Sequence, residues 1–440
     1  MDWQTKLKDK RFRLVGVSIP ALPALVGGLL WLGIRLINRN QSAATRANYK
    51  LIGAPVPGTD DFLRAIDAIA AANTTGGNQL QILKNGDEIF PVMLEAIKEA
   101  KLTINLLTYV YWTGSIAVEM AHALNERTRA GVKCNVLLDA FGSSKIDKKL
   151  IREMQQAGVR VEWFRPLAWF NVNRLDNRTH RKVLVVDGRV GFTGGVGIAS
   201  EWMGDAQDRY HWRDTHIRVE GPAVLALQGA FGDNWFETTG EVLAGDEYLP
   251  ALTAINDGIY TQVTRSSASK FDTNVEALFQ LAIGAATRTI WITMAYFVPT
   301  KAFKHNLKNL AEKGVDIRIL VAGHRTNKQI VLRAGRVSYE ELLKAGVRIF
   351  EFEPTMLHAK TVVVDGVWAT VGSTNFDNRS FALNDELNVS FQDKSLVKIL
   401  EGHFLEDIAR STEIKLDSWQ KRGPLERAID RTSDILNPEL

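Results

Sequence analysis

The sequence predicts an α/β protein built as a duplication. Two mixed or parallel sheets, each flanked by helices, are expected around one active site on a pseudo-two-fold axis, behind an N-terminal transmembrane helix. Three observations predict this. The pattern H-x-K-x4-D-G occurs twice, at His180–Gly188 and His358–Gly366, each followed by a glycine-rich turn, Gly194-Gly195 and Gly372-Ser373. Other segments repeat in the same order: Ala130–Leu138 with Lys313–Val321, and A-G-V-R-V-E-W-F-R-P (157–166) with A-G-V-R-I-F-E-F-E-P (345–354). A looser match joins Ile104–Tyr109 to Ile290–Tyr296. Within each half, helical and strand patterns alternate, which implies parallel crossovers sandwiched by helices.

Taken in order, Met1–Arg13 is basic, and Leu14–Ile34 then runs 21 residues without a charge. That length crosses a bilayer as a helix, and Pro20 and Pro23 are tolerated better in lipid than in water. A membrane anchor over residues 1–40 is the favoured expectation. A cleaved signal peptide ending near Ser42-Ala43-Ala44, or a buried or interfacial segment, stays open. Basic residues flank both ends of the run, so orientation is undecided. Residues 41–79 are polar and read as a linker with a short helical patch, Asp61–Ala72. The first half is expected over 80–245 and the second over 246–440, the latter ending in an amphipathic tail. Between the matched proline and the motif histidine, the first half has 13 residues and the second three. The longer stretch holds Pro166-Leu167-Ala168-Trp169-Phe170, either a packed loop or a wedge into the lipid interface.

The motif has a chemical logic. His180–Val186 is β-branched and aliphatic and reads as a strand, with Asp187-Gly188 as a tight turn. Residues two apart on a strand share a face, so His180 sits with Lys182 and His358 with Lys360. An imidazole beside an ammonium suits gripping and attacking a phosphate. Asp187 and Asp365 belong to the candidate catalytic motif, but their odd offset at the turn predicts that they brace it. Chance would place one such motif in roughly a few per cent of chains this long, so two copies argue for function.

Composition narrows the class. Lys and Arg number 54 against 50 Asp and Glu, a net charge of +4. That balance argues against a dedicated nucleic-acid binder and is compatible with a membrane-surface enzyme. The single cysteine, Cys134, excludes an internal disulfide and a cysteine-based zinc site. The remaining histidines (122, 211, 216, 305, 324, 403) lack metal-ligand spacing, and the Gly-rich turns lack P-loop or Rossmann spacing. No metal and no cofactor are expected.

The doubled H-x-K-x4-D resembles the phospholipase D superfamily. W-R-D-T-H-I-R-V-E-G-P-A-V (212–224) and G-S-T-N-F-D-N-R-S-F (372–381) are similar to bacterial cardiolipin synthases, over roughly Gln81–Ile408. The resemblance implies phosphatidyl transfer from one phosphatidylglycerol to another with release of glycerol. One histidine forms a phosphohistidine and the other serves as acid and base. By family analogy these are His180 and His358. Lys182 and Lys360 would clamp phosphoryl oxygens, with Gly195, Ser373 and Asn375 in the Gly turns as phosphate donors. Asp214 and Glu386, at matching positions in the repeat, would orient the histidines. The first turn reads Gly194-Gly195-Val196-Gly197, without the asparagine common in the family. The expected partners are phospholipid substrates and a membrane, the bacterial inner membrane, with no nucleic acid. Oligomeric state, membrane face, and transfer against hydrolysis stay open. So do a hydrolytic phospholipase D, a phosphatidylserine synthase, a nuclease and a non-enzymatic scaffold.

Overall fold

The computed structural model describes residues 51–166, 177–255, 259–268 and 272–434. The expected anchor at 1–40 and the 167–170 aromatic cluster lie outside the described residues. Among those residues no helix is long and apolar enough to cross a membrane.

The first half contributes β1 (Gln79–Lys84), β2 (Thr103–Thr108), β3 (Lys133–Asp139), β4 (Arg160–Phe164), β5 (Arg178–Thr179), β6 (Val183–Val186), β7 (Val190–Gly194) and β8 (Thr215–Glu220). The second contributes β9 (Tyr260–Ser266), β10 (Thr289–Met294), β11 (Asp316–Ala322), β12 (Arg348–Phe352), β13 (Lys360–Val364), β14 (Trp368–Gly372), β15 (Asn384–Gln392) and β16 (Ser411–Ile414). The first sheet runs β1-β8-β7-β6-β2-β3-β4, and the second runs β9-β15-β14-β13-β10-β11-β12 with β16 added at the edge. The orders are the same strand for strand. In both, the second, third and fourth strands are parallel, joined through helices, and the hairpins beyond them are antiparallel. The sheets are therefore mixed.

Local chemistry explains the elements. β2 and β3 are buried on both faces because helices of their own half cover both sides; the helix Val224–Thr239 lies on the face of Leu107 and Leu137, where Asn105 donates to Gln228 Oε1 at 3.0 Å. The helix Lys148–Ala157 starts on the Asp147 side chain, which accepts from Lys149 N, and stops at left-handed Gly158. The two Asp-Gly turns match: φ is +53° and +64° at Asp187 and Gly188, and +54° and +66° at Asp365 and Gly366. Two consecutive left-handed residues make the tight hairpins β6–β7 and β13–β14.

A layer of Val183, Val185, Ile217, Val219, Val371, Leu387 and Val389 draws on both sheets and forms the core between the halves. Part of the segment expected as a linker is structural. Helix Asp60–Ile69 buries Phe62, Leu63 and Ile66, and Phe62 meets Trp368 edge-on with ring centres 5.8 Å apart. Apolar residues at i, i+1 and i+4 give it a face that fits the second half's core beside Val275 and Phe279. In the tail, Trp419 is buried against Tyr339, ring centres 5.1 Å apart.

Candidate active site

Two short parallel bridges cross between the halves, and each carries one histidine. β5 pairs with the start of β15, Arg178 opposite Asn384 and Thr179 opposite Asp385, and His180 N donates to Asp385 O at 2.9 Å. Arg213 pairs with Leu357, and His358 N donates to Arg213 O at 2.7 Å. The residue after each acceptor is a carboxylate: Glu386 follows Asp385, and Asp214 follows Arg213.

The side chains repeat the crossing. His180 Nδ1 lies 3.1 Å from both oxygens of Glu386, which belongs to the second half. His358 Nδ1 lies 2.8 Å from Asp214 Oδ2, which belongs to the first. Each histidine of one half is thus oriented by a carboxylate of the other. With Nδ1 taken, Nε2 is the ring nitrogen left for chemistry.

Buried arginines hold the crossings in place. Arg178 bonds Asp139 (Nε to Oδ2 3.0 Å) and the carbonyl of Phe164, tying β5 to the ends of β3 and β4. Arg213 bonds Asp407 (Nε to Oδ2 2.9 Å), and Arg181 donates to Ala230 O, Asn234 Oδ1 and Ser266 O. All three are among the largest fully buried side chains. A buried guanidinium stripped of such partners is costly, so these pairs fix the register of the junction. The sequence reading missed them. Their signal is an arginine within two residues of a motif histidine or its carboxylate: Arg178 and Arg181 beside His180, Arg213 beside Asp214.

The lysines lie close in. Lys182 Nζ donates to His180 O at 2.6 Å, and Lys360 Nζ stands 3.0 Å from Nδ1 and 3.2 Å from Nε2 of His358, donating also to His358 O. Each half sets a tyrosine against its histidine: Tyr109 edge-on to His180 (centroids 5.2 Å) and Tyr296 to His358 (6.4 Å). Trp202 and Trp212 also face His358, at 5.2 and 5.6 Å. Trp202 Nε1 donates to Asp214 Oδ2 at 2.8 Å. Trp202 went unread, and Trp212 entered only as the first residue of the 212–224 match.

Electrostatics follow from burying four basic groups together. Burial and the Lys182 and Lys360 charges hold His180 well below its usual range. Burial and Lys360 lower His358 to about 3, with Asp214 pulling it back up. Burial, then Lys360, brings Lys182 down to about 7, and burial brings Lys360 to about 8. Burial pushes Glu386 up to about 7, opposed by Lys182 and Ser373. Burial acts against the Asp214 charge, but His358 and Lys360 outweigh it and lower the carboxyl. Burial together thus favours the neutral imidazoles and weakens the hold of both lysines on their protons. An anion between them restores that hold.

Asp187 and Asp365 brace their turns, as their offset predicts, which takes them out of the catalytic group, and two phosphate-donor expectations need correction. Asp187 and Asp365, grouped with the catalytic motif, lie at the far ends of their strands from the histidines. Asp187 accepts from the backbone N–H groups of Lys101, Leu102 and Thr103 (2.9, 2.7 and 2.8 Å). Asp365 accepts from those of Thr287, Arg288 and Thr289 (2.9, 2.7 and 2.9 Å). Both fasten the hairpin to the loop before the second strand of their sheet. Gly195 offers no phosphate donor, because its N–H goes to Thr215 O at 3.1 Å. Its role is space: a Cβ there would stand 2.0 Å from Asp214 Oδ1. Ser373 directs its hydroxyl to Glu386 and accepts from Leu387 N, so it holds a carboxylate instead of a phosphate. Asn375 is buried, its N–H on Ser380 Oγ at 3.1 Å, with Oδ1 unpartnered among the described residues.

The family described as "Cardiolipin synthase, PLD-like domain" matches residues 93–206 and 280–408, one stretch in each half. Cardiolipin synthase 2 of Bacillus anthracis is 35% identical over 384 residues, covering 86% of this chain and 74% of the relative. Cardiolipin synthase of Geobacillus thermodenitrificans is 36% identical over 366 residues, covering 82% and 72%. Among solved structures, phosphatidylserine synthase of Haemophilus influenzae superposes with a TM-score of 0.63 at 14% identity, covering 87% of this chain and all of that one. That last likeness concerns the fold.

Proposed function

The chain belongs to the cardiolipin synthase family of phospholipase D-like enzymes, and from that premise we propose how its site joins two phosphatidylglycerol molecules. His180 Nε2 attacks the phosphorus of the first lipid. The bond to the glycerol oxygen breaks, and His358 gives that oxygen its proton. The terminal hydroxyl of the second lipid then loses its proton to His358 and attacks the phosphohistidine. The P–N bond breaks, and cardiolipin leaves.

The crossed histidine–carboxylate pairs carry this reading. They leave two Nε2 atoms for one phosphate, one as nucleophile and one as acid and base. Lys182 and Lys360 supply the cations for its oxygens. His358 must be protonated to act as an acid, although the empty site holds it near 3. The bound phosphate offsets the two lysine charges and brings its proton affinity up. Membrane association comes with the family's lipid substrates. The uncharged run Leu14–Ile34 would anchor the catalytic body at the bilayer.

The test is to incubate the detergent-purified protein with phosphatidylglycerol and no added metal, and follow lipids and glycerol by mass spectrometry. Cardiolipin with stoichiometric glycerol is the expected outcome. Phosphatidic acid in place of cardiolipin would make water the acceptor and overturn the transferase reading.

A further inference from the structure

The two halves are matched in strands but not in charge at the mouth of the site. Six residues past the end of β3 stands Lys145, and six past the end of β11 stands Lys328. Lys145 is spent on the first half's own surface, its Nζ 4.3 Å from the centre of the Trp112 ring. Lys328 lies instead over Tyr296, 4.8 Å from the ring centre. That ring is edge-on to His358, and its hydroxyl is fixed by Asn327 Oδ1 at 2.6 Å. Among the described residues Lys328 has no carboxylate in ion-pair contact, and it remains exposed. Seven residues beyond the first glycine of each Gly turn the halves differ again: Glu201 in the first, Arg379 in the second. Lys328 and Arg379 both act on the His180 ring, as Lys182 and Lys360 do. One carboxylate, Asp377, acts on both Lys328 and Arg379, so the second half's side of the cleft carries two cations against one carboxylate, a single positive charge beyond the two lysines that clamp the reacting phosphate.

We propose that Lys328, supported by Arg379, binds the phosphate of the acceptor lipid and so selects a phosphate-bearing alcohol as the incoming group. This rests on the transferase reading above. The acceptor hydroxyl must reach His358, which takes its proton. In phosphatidylglycerol that hydroxyl lies five bonds from the lipid's own phosphorus. A cation displaced from His358 by one tyrosine ring stands where that second phosphate falls. Water and simple alcohols have no such phosphate and gain nothing from the contact.

The experiment is a competition within one reaction. Native protein, Lys328→Gln and Lys328→Arg are each given phosphatidylglycerol in detergent with ethanol, an acceptor without phosphate. Cardiolipin and phosphatidylethanol are measured together. A charge-assisted contact of this kind predicts a cardiolipin-to-phosphatidylethanol ratio about ten- to a hundredfold lower in Lys328→Gln, with most of it restored in Lys328→Arg. An unchanged ratio in Lys328→Gln, whether total turnover holds or falls, overturns the acceptor role while leaving the transferase standing. Phosphatidylethanol without cardiolipin from the native protein overturns the proposed function and the acceptor role with it.

Discussion

Asp214 reaches His358 twice over. Its carboxylate takes Nδ1 at 2.8 Å, and the carbonyl just before it in the chain takes the histidine's backbone N–H at 2.7 Å. Glu386 and His180 stand in the same double relation. Ring and backbone are therefore fixed by one short segment of the opposite half, which gives each catalytic group little freedom to turn.

Replacing either carboxylate by its amide should keep the fold and lose the tautomer. Asp214→Asn and Glu386→Gln are each expected to lower kcat by about a hundred- to ten-thousandfold, the upper end being the effect of the analogous change in a serine protease. Circular dichroism should stay native. A variant within tenfold of native turnover would show that the carboxylate does not govern its histidine.

The two histidines should fail at different stages. With an activated diester such as a p-nitrophenyl phospholipid analogue, whose leaving group needs no acid, His358→Ala should burst and accumulate a covalent adduct. His180→Ala should give neither burst nor adduct. Intact-mass spectrometry reads both, and an adduct on His180→Ala would exchange the two roles.

Gly195→Ala tests the space behind Asp214. The added methyl meets a carboxylate oxygen at 2.0 Å, so Asp214 must move off His358. The expected kcat loss approaches that of Asp214→Asn. Near-native kcat with an intact His358 titration by NMR would contradict this.

Asp187→Ala should cost stability and spare chemistry. It frees three backbone donors, at about 2 kcal/mol or more, which lowers Tm by several degrees. The kcat of the folded fraction should stay within a few fold of native. A thousandfold fall without a change in Tm would return Asp187 to the catalytic set.

The lysines set a pH signature. Lys182 and Lys360 are lowered to about 7 and 8 from an ordinary 10.5. Between those values the unfolded chain holds protons that the empty folded chain has released, so their contribution to stability rises with pH. Activity moves the opposite way: kcat/KM should fall as pH climbs past about 7 to 8 and the phosphate clamp loses charge. Inorganic phosphate should raise Tm more at pH 7 than at pH 9. Equal shifts at both pH values would disconnect anion binding from the lysines.

The sequence carried the duplication, the strand alternation and the residues of the motif because these are local or periodic. A histidine and a lysine two apart on an apolar strand announce themselves. Which carboxylate serves which histidine is a tertiary fact, since Asp214 and His358 are brought together only by docking of the halves. Gly195 read as a phosphate donor because its type fits one, and only the neighbouring Asp214 oxygen shows that it is there to leave room. Arg178, Arg181 and Arg213 carry no local sign of burial, because it depends on Asp139, Asn234 and Asp407, far away in the chain. The helix Asp60–Ile69 was visible as a pattern, but its partners in the second half's core were not.

The crossed wiring also sets when this protein becomes reactive during its own synthesis. Glu386 lies on the next-to-last strand, more than two hundred residues after the histidine it orients. A nascent chain whose first half has folded presents His180 without its partner carboxylate and without the second lysine. It lacks the groups that orient His180 and offset the charge of a phosphodiester. Both histidines gain their carboxylates together, when the halves dock along β5–β15 and at the Arg213–Leu357 bridge.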